Sequence, residues 1–161
     1  MPQEKITFEQ FLGEIVEPDN YIFVQDLHNF MLESGCKETY EVKKTGLLGS
    51  YKHKKTKKSV LNVLLKKHGL LVRIYGENIG EYPDFLNTLP EEMIQSIEKA
   101  SICKRLVNNG CSPKCSGYDF TVRDEHFQKC RYNCFEFLIT NESAPYIKTF
   151  VENEVDIRTK I

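Results

Sequence analysis

Five of the six cysteines fall between Cys103 and Cys134, and no other stretch concentrates residues of comparable chemical capability. Thiolates hold zinc at about 2.3 Å in a tetrahedral shell, and Cys111 and Cys115 form a C-x3-C pair within the usual ligand spacing. The segment 103–139 reads as a loop followed by a β-hairpin. A turn centred on Asp124-Glu125 pairs Val122 with Phe127 and Tyr118 with Arg131. That register puts Tyr118, Phe120, Val122, Phe127, Phe135, Phe137 and Ile139 on a core face. Cys115, Cys130 and Cys134 then share the opposite face, and the segment 103–114 can fold over it to deliver Cys103 and Cys111. On a strand Cys130 and Cys134 are roughly 13 Å apart, so only one of them can join a shared metal. A straight register favours Cys134; a break at Gly117 favours Cys130. The same thiols would also serve as small buried hydrophobes.

The second concentration of chemistry is cationic. Residues 1–36 hold one Lys and seven acids, 37–75 hold eleven Lys/Arg and two acids, and 76–161 hold ten and fourteen, so a net charge of −1 conceals local charges of −6, +9 and −4. Lys52, Lys54, Lys55, Lys57 and Lys58 cluster in one turn. Such a turn suits phosphates of nucleic acid or another polyanion, each neutralised phosphate contributing through counterion release. Lysines of this kind also guard strand edges and solvate turns. Arginines and exposed aromatics, which base readout and stacking require, are scarce around them, so the expected binding is weak and sequence-blind.

Other routes to chemistry are missing from the sequence. Neither G-x-G-x-x-G nor G-x-x-x-x-G-K-[ST] occurs, which removes the familiar phosphate-cradling loops. No H-E-x-x-H or G-x-S-x-G stands out, and His28, His53, His68 and His126 are isolated in sequence. A Cys–His pair could assemble only in space, with Cys36 or a hairpin cysteine as nucleophile; Cys36, after the helix-ending Gly35, reads as a small buried residue opening a strand. No apolar run approaches the roughly 18 residues of a membrane span. MPQEKITFEQ lacks the charged-then-apolar pattern of a secretory signal, so a cytoplasmic location is expected, where thiols stay free unless a metal holds them.

These residues must be positioned by a small number of elements. Thr7 with Gln10 forms a capping-box signature ahead of Phe8, Phe11, Leu12, Ile15 and Val16, a helix ending near Pro18. Asp19 or Asn20 can cap a second helix with Ile22, Phe23, Leu27, Phe30 and Met31 as its apolar face and Gly35 as its stop. From Lys37 the period becomes extended, giving a meander whose last two strands, 60–65 and 70–75, suit central positions and whose lysine-rich preceding strand suits an edge. Thr88 and Glu91 can cap a middle helix ending near Cys103, with Met93, Ile94 and Ile97 buried. Ser143 can cap a last helix, its tail fraying beyond Asp156. The order predicts one α+β domain over 1–161: an antiparallel sheet of five or six strands, built from the meander and the C-terminal hairpin, flanked by two N-terminal helices, a middle helix and a C-terminal helix.

The segments GLLVRIYG, EKASICKRL and GYDF...QKCRYN together resemble an uncharacterised family of small bacterial α+β proteins, over roughly residues 35–155. The resemblance implies a helix-flanked sheet and a bacterial cytosolic origin, and supplies no activity. Because Cys130 lies inside QKCRYN, the expected zinc ligands are Cys103, Cys111, Cys115 and Cys130, with Cys134 as the alternate. The leading reading is a non-enzymatic binding or regulatory domain with a structural four-cysteine zinc site and a basic turn. The alternative is a small-molecule binder or thiol-dependent enzyme with a cavity between the sheet and the N-terminal helices.

Overall fold

The computed structural model describes residues 4–108, 110 and 117–160. Two helices, α1 (Phe8–Leu12) and α2 (Pro18–Glu33), precede the strands β1 (Cys36–Lys43), β2 (Gly46–His53), β3 (Ser59–Lys66) and β4 (Gly69–Ile74). A 3-10 turn (Ile79–Glu81) leads to the helices α3 (Pro83–Leu86), α4 (Glu91–Lys99) and α5 (Lys104–Asn108). Strands β5 (Tyr118–Val122), β6 (Glu125–Lys129) and β7 (Glu136–Leu138) follow, and α6 (Ala144–Lys160) closes the described chain. Strands β1-β2-β3-β4-β7 form one antiparallel sheet in that order, and β5-β6 form a separate two-stranded sheet. The fold is the expected α+β, with the hairpin pairing with itself rather than extending the main sheet.

Local chemistry accounts for most of the boundaries. The Thr7–Gln10 capping box is formed in both directions, but α1 stops at Leu12. Helix α2 starts at Pro18, whose fixed φ suits a first helical position, without a side-chain cap. Its buried stripe is Val24, Leu27, His28 and Met31, while Ile22 is exposed, so the inward face is rotated from the one the apolar residues alone suggest. Gly35 ends the helix at φ 86°, where a side chain would be strained. Met93, Ile94 and Ile97 of α4 are buried as expected, but the helix ends at Lys99 and a separate α5 carries the chain past Cys103.

In the sheet, β2 lies between β1 and β3, so the edge is β1 and not the strand leading into the basic turn. The N-terminal segment partly covers that edge, Ile6 N–H donating to Tyr40 O and Val42 N–H to Glu4 O. Strand β4 alternates strictly between buried and half-buried positions, the mark of a sheet with one packed and one solvated face. The packed face joins Tyr40, Tyr51, Leu61, Val63, Val72, Ile74 and Phe137 to the helices in one contiguous core. Phe135, Phe137 and Ile139 are all buried in it, as their alternation predicts.

The hairpin register differs by two from the one expected. Tyr118 pairs with Lys129 and Val122 with Glu125, so the two-residue loop is Arg123-Asp124. Both loop residues have positive φ, 50° and 67°, as in the type I′ turn whose twist matches the flanking strands. A two-residue slip preserves the faces, which is why the aromatic core face survives.

Candidate functional site

The basic turn joins β2 to β3 and is held shut from three sides. His53 N–H donates to Lys58 O at 3.0 Å and Lys57 N–H to His53 O at 2.8 Å, closing the loop on itself with Lys57 at φ 63°. Lys54 N–H donates to Gly35 O, tying the turn to the end of α2. Lys55 Nζ donates to the Thr159 carbonyl at 2.9 Å, placing a cation on the C-terminal turn of α6, where helix carbonyls lack partners. Lys52, Lys54, Lys55, Lys57 and Lys58 are all exposed, and among the described residues none has a carboxylate within 4.0 Å. Lys52 also faces Lys37 directly across β1–β2, a like-charge pair that costs stability in any sheet.

Beneath the turn lies a network that sequence reasoning missed. Arg158 and Glu154 are almost completely buried, 1% and 0% exposed, although Arg158 belongs to the tail expected to fray. Arg158 Nε donates to Glu154 Oε2 at 3.2 Å, its Nη1 to the carbonyls of Lys58 and Ser59, and its Nη2 to that of Tyr75. Glu154 also accepts from Asn78 N–H, Asn78 Nδ2 and Tyr82 Oη. The guanidinium therefore staples the last turns of α6 to the start of the central strand β3 and to the residue that follows β4. The i,i+4 spacing of the pair was visible in the sequence; the three carbonyls, 83 to 100 residues away, were not.

His53 and Cys36 lie under the same turn as direct cross-strand partners. The sheet thus brings together a Cys and a His that are isolated in the sequence. Burial, then Arg158 and Lys55, holds the His53 imidazole below its usual value. Burial pushes the Cys36 thiol up to about 11, only partly offset by Arg158 and Lys54. Cys36 is thus a neutral thiol at pH 7, as a buried structural cysteine should be, and not a poised nucleophile.

The cysteine-lined end lies where α4, α5 and β6 meet. Cys103 and Cys134 are buried and Cys130 is half-buried. Cys103 N–H donates to Gln128 O and Cys130 N–H to Ser101 O, so the chain after α4 runs alongside β6. Cys130 and Cys134 are not on one strand: the chain turns after Lys129, and Cys134 N–H donates back to Cys130 O at 3.0 Å. The separation assumed from an extended chain therefore does not apply, and the reason to admit only one of these two cysteines falls away. Burial pushes the Cys134 thiol well above its ordinary value, with the neighbouring Cys130 adding to it. Cys111 and Cys115 lie outside the described residues. Among those described, no group of three or more His, Cys, Asp or Glu side chains could hold a metal ion. Gly117 packs so closely on Cys103 that a Cβ there would overlap the sulfur.

A third polar cluster stands between α1, α2 and the sheet. His28 Nδ1 is 2.8 Å from Tyr51 Oη and 3.2 Å from Glu38 Oε2, and Tyr51 Oη is hydrogen-bonded to Tyr40 Oη. Phe8 stacks on the imidazole at 3.5 Å between centroids. Burial lowers the His28 pKa against the pull of Glu38, and it raises both tyrosines far above their usual range. The aromatic N-terminal helices thus pack directly on the sheet at this point.

Comparison with family models, curated proteins and solved structures returns no match, so the functional reading rests on the residues themselves. Among the described residues no helix is long and apolar enough to cross a membrane.

Proposed function

We propose that the protein is a non-enzymatic binding domain that engages phosphate-rich polyanions, nucleic-acid backbones among them, through Lys52, Lys54, Lys55, Lys57 and Lys58. The observation that carries this reading is a set of five exposed lysines, none with a carboxylate within 4.0 Å among the described residues, Lys52 near the end of β2 and the other four on a turn clamped by α2 and α6. A held turn loses little conformational entropy on binding, so its charge is available for the ligand. With five phosphates engaged, affinity for duplex DNA should fall by about 500-fold between 50 and 200 mM salt, from a log–log slope of about 0.9 per contact. Fluorescence anisotropy on a random-sequence duplex measures this directly. No binding at 50 mM salt would end the reading.

The reading includes zinc as a structural element at the cysteine-lined end, held by Cys103, Cys111, Cys115 and Cys130 or Cys134. Its support is the contact of Gly117, two residues after Cys115, with the Cys103 sulfur. Elemental analysis of the purified chain should give about one zinc per chain, the content of a single four-thiolate site. Six titratable thiols without zinc would exclude it.

A further inference from the structure

The cleft between the basic turn and the start of the 3-10 turn has a volume of about 480 Å³ and is lined by Lys55, Thr56, Lys58, Glu77, Asn78 and Arg158. That volume lies within the range of small-ligand sites. The charges around it do not cancel. Arg158 is paired with Glu154, and Glu77 with Arg131, whose guanidinium lies over the Tyr75 and Tyr132 rings. Lys55 and Lys58 are left without a carboxylate among the described residues, a surplus of two positive charges at one mouth. Asn78 is fixed in place by donating both its N–H and its Nδ2 to Glu154. Thr56 lines the cleft, and its Oγ1 is shielded from solvent without a hydrogen-bond partner, an unusual state for a hydroxyl. Lys54 and Lys57 of the same turn, and Lys52 on β2 before it, do not line the cleft.

We propose that this cleft is a discrete site for a phosphomonoester dianion, with Lys55 and Lys58 as its counter-charges and the Thr56 hydroxyl as a donor. The ligand class follows from the charge: a backbone phosphodiester carries one negative charge, whereas a terminal phosphate carries close to two and presents three acceptor oxygens. The remaining lysines of the turn would then meet the following phosphodiesters. This site rests on the polyanion reading for the approach of a phosphate-bearing strand, but it adds a preference that the reading does not contain.

The test compares a 3′-labelled single-stranded oligonucleotide carrying a 5′-phosphate with the same strand carrying a 5′-hydroxyl, by anisotropy with the full chain. The phosphorylated strand should bind about tenfold more tightly, the gain of one charge-assisted contact set. Lys55→Ala/Lys58→Ala should erase that ratio. Lys52→Ala/Lys54→Ala/Lys57→Ala should weaken both strands and keep it. Thr56→Val, which preserves shape, should reduce the ratio without changing affinity for the hydroxyl strand. Inorganic phosphate, added at matched ionic strength, separates the sources: competition means the free anion suffices, and its absence means that the site takes a strand-borne phosphate. Equal affinity for the two strands would overturn the site and leave the polyanion reading standing. Binding of neither strand would overturn both.

Discussion

Replacing Arg158 by Met removes the buried guanidinium while keeping much of its aliphatic stem. The structure sets the magnitude. Four hydrogen bonds from a charged donor disappear, to Glu154 and to the carbonyls of Lys58, Ser59 and Tyr75. Glu154 stays fully buried without its counter-charge, though Asn78 and Tyr82 still donate to it. Removing one partner of a buried pair costs about 3–5 kcal/mol, and the surviving donors place this case toward the lower end. That is a large share of the roughly 5–15 kcal/mol that holds a typical domain together. The melting temperature should fall by roughly 6–20 °C for a chain of this size. Urea unfolding followed by circular dichroism measures the free energy, and adding Glu154→Gln to the Met variant should restore part of the loss by removing the orphaned charge. A loss below about 1 kcal/mol, or no recovery in the double variant, would refute the staple described here.

Gly49 sits so close to Tyr40 that a Cβ would overlap its ring; Gly49→Ala should therefore destabilise by about 1–3 kcal/mol, read from the urea midpoint at unchanged slope. Stability should also depend on pH through His28 and His53, both held below their usual pKa chiefly by burial. The unfolded chain then binds protons that the folded chain refuses, so stability is flat above about pH 7 and falls as pH drops through the unfolded value of about 6.5. Melting temperatures between pH 7.5 and 5.5 check this: His28→Gln/His53→Gln should flatten the dependence, and a wild-type curve rising toward pH 5.5 would contradict it.

Much of the fold was legible because its signals are local. The Thr7 box, the alternation of Phe135, Phe137 and Ile139, and the apolar runs of β3 and β4 each follow from contacts a few residues apart or from a simple period. What was not legible depends on partners far away. Arg158 reads as a solvated tail residue until the carbonyls of Lys58, Ser59 and Tyr75 surround it. His28 reads as polar, yet Tyr51 and Phe8 give it both a hydrogen bond and a stacked ring, which turns α2 about its axis. The hairpin register hinged on whether Arg123 and Asp124 would accept positive φ, and two non-glycine residues gave little warning of it. The lysines of the basic turn were plain in the sequence. That two of them share a cleft with Glu77, Asn78 and Arg158 was not, because only the strand pairing and α6 bring those segments together.

The claim that the basic turn is the contact surface is tested most directly by the salt dependence of duplex binding in two proteins, wild type and the variant with Lys52, Lys54, Lys55, Lys57 and Lys58 all changed to Ala. The log–log slope should flatten by about 0.9 for each lysine that meets a phosphate, to near zero in the variant. Equal unfolding midpoints would show that both proteins are folded. A variant that keeps the wild-type slope would contradict the account and move the contact elsewhere on the molecule.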